Sequence, residues 1–280
     1  MNTLPVFFYF DPDALWPGAP LAVRIVRSTP AELNRLMREG QVDIGPMSSF
    51  AYGLDPDRYV LLPSLSVSAY GPVGSIFLFA HRPLHTYRAP HVALTNRSAT
   101  SVHLAKIILE TFMHLQPTYE TVEPNLPAML ASADVALMIG DEAIVAHRNG
   151  RRYYAYDLGE LWRTYTGAWM TFAVWGVRRE AVAAHEELVW AVHRAFIHSK
   201  WRTRHDPRPL VEAAKARLGG TDAEWYRYFE GLSHELDHPQ REGLKRYFAY
   251  AAEHRFLPQM PEIEILEPPV TVGLAVGAER

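Results

Sequence analysis

Hydrophobic and polar positions alternate in two patterns along the chain, and each pattern predicts one kind of element. The apolar run Val92-Ala93-Leu94 is typical of a buried strand, and the polar turn 95–101 follows it. Apolar residues then recur at helical spacing, at Val102, Ala105, Leu109 and Phe112. The stretch therefore predicts a strand, a polar loop and the start of a helix, which is the repeating unit of an α/β protein.

Similar short apolar runs predict further strands on both sides of this unit. They are residues 21–26, 42–45, 59–63, 64–68, 76–80, 118–122, 135–139, 153–157 and 171–177. A cap residue, a proline and an acid at Thr29, Pro30 and Glu32 predict a helix that ends at Gly40. Other helices are predicted at 126–132, 158–165, 180–204, 207–218, 221–232 and 239–255, and the residues beyond Pro268 as a loose tail.

The order of these elements predicts two α/β lobes. Lobe I comprises residues 1–80 and 176–280, including a helical C-terminal part that packs back on it, and lobe II comprises residues 81–175. The apolar strands 76–80 and 172–177 lie where the chain passes between the lobes. A ligand cleft is expected between the two lobes.

Turns rich in hydroxyl groups occur at the ends of several predicted strands. Ser48-Ser49 follows one strand, the loop 71–75 precedes another, and Thr100-Ser101 opens a helix whose dipole favours a carboxylate or phosphate. Asp141 also follows a strand directly. Structural roles remain as alternatives, because Ser98 or Thr100 can cap the helix, and Asp141 can cap another.

Composition narrows the classes of function. A chain of 280 residues with 48% hydrophobic residues can bury a core, and a formal charge of −3 gives no general attraction to nucleic acid or membranes. Because cysteine is absent, disulfides and cysteine-ligated metal centres are excluded. The chain shows neither a secretory signal nor a membrane-length apolar run, so we expect a cytoplasmic protein. No pattern calls for a cofactor.

Two other motifs are interpreted as structural and not as catalytic or binding sites. Residues 234–238 match the H-E-x-x-H pattern of zinc metalloproteases, but Pro239 follows, and a residue before proline is disfavoured in helical conformation. The two histidines then need not share a helical face, so we expect no metal and interpret the motif as a solvated helix end. The aromatic stretch 225–229 is interpreted as core.

The strand-end turns, taken in order, match a known family. The matching segments are residues 2–5, 42–49, 59–63, 71–75, 100–102, 139–141, 156–159, 166–167 and 172–175. Each segment is weak alone, but together they are specific. The chain resembles the MqnA family, the chorismate dehydratases of the futalosine route to menaquinone.

The resemblance implies a two-lobed fold like that of the type 2 periplasmic binding proteins, with the ligand cleft between the lobes. It implies removal of water from chorismate, a dicarboxylate, to give 3-[(1-carboxyvinyl)oxy]benzoate. The family pattern places catalytic residues at Asn2 and Ser75. It implies substrate contacts at Ser48, Ser49, Gly74, Thr100, Ser101, Val102 and Asp141.

Loss of a ring hydroxyl and a ring proton makes the product aromatic, so the protein needs mainly to orient the substrate. No matched position is a strong base. The hypothesis is that a substrate carboxylate takes the proton while Asn2 and Ser75 hold the reacting groups. The chain departs from the family pattern at two places. A strand usually precedes the asparagine, and we expect such a strand upstream of Asn2. Trp169-Met170 stands where the family has Pro-Phe, which alters one wall of the cleft.

Other functions stay open. The 1,4-dihydroxy-6-naphthoate synthases share the family, but their chemistry uses a histidine, and none is clearly placed in the matched turns. A non-catalytic small-carboxylate-binding protein would share the fold, although no export signal or lipidated cysteine supports it. A zinc hydrolase ranks third. The sequence gives no indication of the oligomeric state.

Overall fold

The computed structural model describes residues 1–12, 23–149 and 152–268, which form an α/β fold with two β-sheets. The strands are β1 (Ile44–Ser48), β2 (Tyr59–Ala69), β3 (Ile76–Ala80), β4 (His91–Thr95), β5 (Thr118–Val122), β6 (Val135–Ile139), β7 (Tyr154–Asp157) and β8 (Met170–Arg178). The helices are α1 (Leu4–Phe7), α2 (Pro30–Arg38), α3 (Ser49–Leu54), α4 (Ala99–Ile107), α5 (Leu126–Ser132), α6 (Gly140–Asn149), α7 (Leu158–Thr166), α8 (Arg179–His205), α9 (Arg208–Leu218), α10 (Asp222–Glu230) and α11 (His238–Glu253). A π-helical turn, Ile108–Phe112, extends α4.

Local capping explains why many helices begin where the sequence predicts. Thr29 accepts a hydrogen bond from the Glu32 amide at 3.3 Å, and Pro30 occupies the first turn of α2. Thr221 and Glu224 form a reciprocal capping box at the start of α10. The four helices beyond Arg178 agree with the prediction within two residues at each end.

Three predicted strands differ from the structure. Residues 59–63 and 64–68 belong to one strand, β2, whose pairing with β8 is irregular between Leu61 and Ser66. Ser64 has a positive φ of 56° there, which explains the change in side-chain alternation. Residues 23–26 have no regular structure, and the rest of the predicted strand 21–26 lies outside the described residues, as does the predicted tail beyond Pro268.

The two sheets differ in their pairing. The first has the order β1-β8-β2, and the central β8 is antiparallel to both neighbours. The second has the order β5-β4-β6-β3-β7, in which β4 is parallel to β5 and β6, while β3 is antiparallel to β6 and β7. Helices connect the parallel strands, as βαβ geometry requires.

Sheet membership corrects both predicted lobe boundaries. The division at residue 80 assigns β3 to lobe I, but β3 is hydrogen-bonded within the second sheet. The division at residue 175 splits β8, which lies wholly in the first sheet. Both errors arose because an apolar strand does not reveal its partner. The two-lobe division itself stays a proposal, with crossings in the segments 70–75 and 167–169.

The C-terminal helices pack on more than the first sheet. α8 contacts β2 and β8, whereas α11 contacts both β8 and α4. Trp225 of α10 and Val211 of α9 share a small core cluster with Ile144 of α6, which follows a strand of the second sheet. The C-terminal region therefore contacts the first sheet through α8 and α11 and also reaches α4 and α6, which follow strands of the second sheet.

Candidate active site

One edge of the second sheet carries the residues predicted in lobe II. β4 and β6 are parallel, with Leu94 paired to Leu137, so their carboxyl ends lie side by side. β3 runs the opposite way, and its first residue Ile76 pairs with Ile139. The Gly140 amide donates to the Ser75 carbonyl at 2.7 Å. The starts of α4 and α6 and the loop before β3 therefore lie at one edge.

The first sheet presents a matching edge. Ser48, the last residue of β1, pairs with Ala173 of β8, and Ser68 of β2 pairs with Thr171. The Ser49 hydroxyl donates to the Thr171 carbonyl at 2.7 Å. The predicted Ser48-Ser49 pair therefore sits at the edge where β1 and β2 end and β8 begins.

The two edges touch through helices α3 and α4. The Phe50 amide donates to the Thr100 hydroxyl at 2.9 Å, and Ser49, Thr100 and Ser101 are each at most 1% exposed. The Tyr247 hydroxyl of α11 also donates to the Thr100 carbonyl, at 3.3 Å. Hydroxyl groups that follow strands of both sheets therefore lie close together here, and they are buried.

Ser98, rather than Thr100, caps α4. The Ser98 hydroxyl oxygen accepts from the Ser101 amide at 3.2 Å and donates to the Ser101 hydroxyl at 3.0 Å. The Val102 amide donates to the Ser98 carbonyl, also at 3.2 Å. Thr100 and Ser101 thus accept hydrogen bonds through their oxygens and keep their own hydroxyl protons to donate.

Ser48 has a partner that the sequence did not suggest. Its hydroxyl accepts from the Ala51 amide and from the Asn34 side-chain nitrogen, both at 3.2 Å. The Ser48 amide donates in turn to the Asn34 side-chain oxygen at 3.1 Å. Asn34 lies on α2, and nothing in its local sequence distinguished it from other polar helix residues.

Asp157 holds the loop that precedes Ser75. Its carboxylate accepts from the amides of Val73 at 2.9 Å and Gly74 at 2.7 Å, and also from those of Gly159 and Glu160 at 2.8 and 3.2 Å. Burial raises the pKa of Asp157 to about 6, although the four amides oppose that shift. Asp157 therefore ties the loop to the start of α7.

Glycine is required both in the loop 71–75 and at the start of α7, where the two pack together. A Cβ on Gly159 would lie 2.3 Å from the Gly71 carbonyl oxygen, so only glycine lets α7 approach the loop. Gly74 has a positive φ of 69°, and a Cβ there would lie 2.9 Å from a ring carbon of Tyr228. The loop is therefore packed against α7 and α10.

Tyr228 faces Ser75 from α10. Its phenol oxygen is inaccessible to solvent and has no partner of normal hydrogen-bond geometry among the residues that the structure describes, although it interacts with the Ser75 side chain. Burial raises the pKa of Tyr228, and the facing Ser75 side chain offsets only part of that shift. Ser75 is itself 1% exposed, and its hydroxyl makes only a long contact, 3.5 Å, with the Val73 carbonyl.

Asn2 lies between the two sheets. Its carbonyl accepts from His234 Nε2 at 2.7 Å, and the His234 carbonyl accepts from the Ser66 amide of β2 at 3.1 Å. On the other side, the neighbouring Met1 amino group lies 2.8 Å from Asp141 of α6. Asp141 also pairs with Arg217 at 2.9 Å.

The structure corrects the interpretation of the H-E-x-x-H motif. His234 is buried in an extended segment, and His238 is the first residue of α11, so the motif starts a helix instead of ending one. Burial lowers the pKa of His234 to about 4, which leaves a neutral imidazole that donates to the Asn2 carbonyl. Within residues 1–12, 23–149 and 152–268, no group of three or more acidic or histidine side chains could hold a metal ion.

A surface depression of about 740 Å³ beside α11 is separate from these residues. Trp169, Lys245, Arg246 and Tyr250 are among the residues that line it, and none of the predicted site residues does. Its cations are already engaged, since Lys245 contacts Glu242 and Arg246 donates to the Thr166 carbonyl. No helix in the part of the chain that the structure describes is long and apolar enough to cross a membrane.

Two sheets whose facing edges carry the polar residues define the class of periplasmic-binding-protein folds. The structure is similar to protein AF1704 from Archaeoglobus fulgidus, with a TM-score of 0.70, 16% identity and coverage of 91% of this chain and 95% of that one. It is also similar to the periplasmic aliphatic sulphonate binding protein SsuA from Escherichia coli, with a TM-score of 0.65, 13% identity and coverage of 100% and 94%. At these identities the likeness concerns the fold alone, and it confirms the predicted fold class.

The sequence matches the menaquinone biosynthesis family over residues 1–253, and the chain belongs to that family. It is 35% identical over 243 residues to the chorismate dehydratase of Thermus thermophilus, covering 80% of this chain and 85% of that protein. It is 24% identical over 244 residues to the 1,4-dihydroxy-6-naphthoate synthase of the same organism, covering 83% and 85%. The predicted family is confirmed.

Proposed function

We propose that this protein is a chorismate dehydratase, a hydro-lyase that converts chorismate to 3-[(1-carboxyvinyl)oxy]benzoate in menaquinone biosynthesis. The observation that carries the proposal is the meeting of the two sheet edges, where Thr100 of one edge bonds the Phe50 amide of the other. The higher identity to the Thermus chorismate dehydratase than to the naphthoate synthase supports this choice. The cytoplasmic location stays a prediction.

The proposed site suits a small dicarboxylate. The start of α4 contributes partial positive charge, and the hydroxyl protons of Thr100 and Ser101 are available to donate. Hydrogen bonds to a charged group contribute roughly 1.5–3 kcal/mol each. Three such bonds approach the roughly 8 kcal/mol of micromolar binding. The hydroxyls of Ser48 and Ser49, the backbone of Gly74 and Val102, and Asp141 complete the proposed set of substrate contacts.

The proposed reaction depends more on orientation of the substrate than on general acid–base catalysis by the protein. The proposed roles of Ser75 and Asn2 are to hold the reacting groups. The loop that Asp157 anchors and the bond from His234 to the Asn2 carbonyl support these roles. A substrate carboxylate takes the ring proton as the ring hydroxyl leaves, and the product gains aromaticity. Trp169-Met170, at the crossing into β8, belongs to the segment that joins the two sheets.

Incubation of the purified protein with chorismate tests this function. The expected product is lighter than chorismate by one water and absorbs as a benzoate, at a rate proportional to protein concentration. Saturable binding without any product would identify a small-carboxylate-binding protein instead. Absence of both binding and turnover would contradict the proposal.

One observation favours the naphthoate synthase as a second candidate. His234 reaches the Asn2 carbonyl, so a histidine does lie beside the proposed site, although outside the matched turns. Its Nε2 proton is already donated to that carbonyl, and burial lowers its pKa. The imidazole therefore serves better as a support for Asn2 than as a reacting group. Formation of 1,4-dihydroxy-6-naphthoate by the protein would overturn this preference.

A further inference from the structure

The phenol of Tyr228 is a buried polar group that the fold leaves unsatisfied. Its oxygen is shielded from solvent and has no partner of normal hydrogen-bond geometry in the part of the chain that the structure describes, although the facing Ser75 side chain interacts with it. A buried hydroxyl without a partner destabilises a folded protein, so such a group calls for an explanation. A ligand that completes the missing hydrogen bond is one such explanation.

The ring of Tyr228 is held firmly in place. Trp225 packs edge-on against it with ring centroids 5.6 Å apart, and Phe229 does the same at 5.2 Å. On its other side the ring contacts the backbone of Gly74, where a Cβ would lie 2.9 Å from it. The phenol therefore faces the loop of Ser75 with little freedom to turn elsewhere.

The charges around the phenol favour a neutral partner. The carboxylates of Asp141 and Asp157 both raise the pKa of Tyr228, in addition to the larger effect of burial. The phenol is therefore neutral at physiological pH and acts as a hydrogen-bond donor. Negative potential at the same place disfavours a substrate carboxylate and suits an uncharged hydroxyl group.

We propose that Tyr228 is a further catalytic residue, whose hydroxyl donates a hydrogen bond to the ring hydroxyl of chorismate that leaves as water. This inference rests on the proposed function. The ring carbon–oxygen bond breaks, and the departing hydroxyl combines with the proton taken from the ring carbon by the substrate carboxylate. The electrons of the carbon–hydrogen bond enter the aromatic ring. Tyr228 gains and loses no proton, and it stabilises the charge that develops on the departing oxygen.

The test compares Tyr228→Phe with Tyr226→Phe, a control on the same helix. We expect Tyr228→Phe to lower kcat by about tenfold or more, as loss of one hydrogen bond that strengthens in the transition state does. Affinity for the product 3-[(1-carboxyvinyl)oxy]benzoate should stay unchanged, because the product lacks the departing hydroxyl. The variant should melt no lower than the wild type, since only an unpartnered oxygen is removed. Tyr226→Phe should match the wild type in every measurement.

Each contrary result has its own meaning. A wild-type kcat in Tyr228→Phe would remove Tyr228 from the reaction while leaving the dehydratase intact. Weaker binding of the product would show that the phenol binds a carboxylate, and a lower melting temperature would show that it supports the fold; either result overturns the proposal. Failure of the wild-type protein itself to convert chorismate would overturn the proposed function and this inference together.

Discussion

Ser75 enters the second sheet with its side chain buried and its hydroxyl loosely held. That hydroxyl makes a long contact, 3.5 Å, with the Val73 carbonyl and also interacts with the facing phenol of Tyr228. A hydroxyl with so little intramolecular engagement is available to a substrate. The catalytic role that the family pattern implied for Ser75 stays a proposal.

Replacement of Ser75 by alanine should reduce turnover more than binding. We expect kcat to fall by about tenfold or more while KM changes little, since the hydroxyl contacts groups that change in the reaction. Steady-state kinetics with chorismate measures both constants. Ser132→Ala, on α5 and far from both edges in sequence, is the control. Unchanged turnover in Ser75→Ala would remove Ser75 from the mechanism.

Asp157 gives the reaction an expected pH dependence. Its pKa is raised to about 6, so below that pH it is protonated and one oxygen donates where it had accepted an amide. The loop of Ser75 then loses an anchor, and kcat should fall on the acid side with an apparent pKa of about 6. Asp157→Asn should lower kcat at neutral pH and remove this acid limb, whereas exposed Asp57→Asn should keep it. An identical limb in Asp157→Asn would contradict this role.

The raised pKa of Asp157 also determines how its contribution to stability changes with pH. The pKa of Asp157 in the folded protein lies above its ordinary value of 3.8, so the folded chain takes up the proton at higher pH than the unfolded chain. The contribution of this group to stability is therefore fully present below about pH 4 and is lost as the pH rises through about 6. Asp157→Asn should remove that part of the pH dependence of unfolding.

Residue positions near a strand end could be predicted, but their distant partners could not. Ser48, Ser75 and Thr100 stand out in the sequence because each lies in a short turn beside an apolar run. Tyr228 was interpreted as core, since an aromatic stretch on a helix gives no sign that one hydroxyl lacks a partner. His234 was missed as a support for Asn2 because 232 positions separate them.

A hydrogen bond between helices α3 and α4 links the two sheet edges. The donor is the buried backbone amide of Phe50, and the acceptor is the hydroxyl of Thr100. Since a buried amide has no water to replace a lost acceptor, this contact matters to stability as well as to the site.

The Thr100→Val variant tests whether this hydrogen bond between α3 and α4 stabilises the protein. The change keeps the shape of the side chain and leaves the Phe50 amide without its acceptor, so we expect a loss of about 1–3 kcal/mol in unfolding free energy. Urea unfolding measures it. Thr164→Val, at an exposed position of α7, should stay within about 0.5 kcal/mol of the wild type. Equal stability of the two variants would show that the contact contributes nothing.

The positions of helices and strands could be predicted from local sequence patterns, but the sheet to which each strand belongs could not. The predicted helices beyond Arg178 agree closely with the structure because caps and periodicity are local properties. β3 was predicted in lobe I, and β8 was divided between the lobes, because pairing depends on residues far along the chain: Ile76 pairs with Ile139, and Ile44 with Val177. The apolar pattern of a strand does not predict which strand pairs with it.

The proposed site residues Ser75, Thr100 and Ser101 are buried, so we expect binding to require the two sheets to separate. Such opening is expected at the crossings 70–75 and 167–169, where the chain passes between the sheets. Small-angle scattering should give a larger radius of gyration for the ligand-free protein than for the protein saturated with product. The same radius in both states would contradict opening of the molecule as a whole.

A crystal structure with the product 3-[(1-carboxyvinyl)oxy]benzoate tests the central claim most directly. The account predicts the product between the two sheet edges, with one carboxylate within hydrogen-bond distance of Ser101 at the start of α4 and the aromatic ring beside Ser75 and Tyr228. Product bound in the surface depression beside α11, or bound without contact to Ser75 and Ser101, would contradict it.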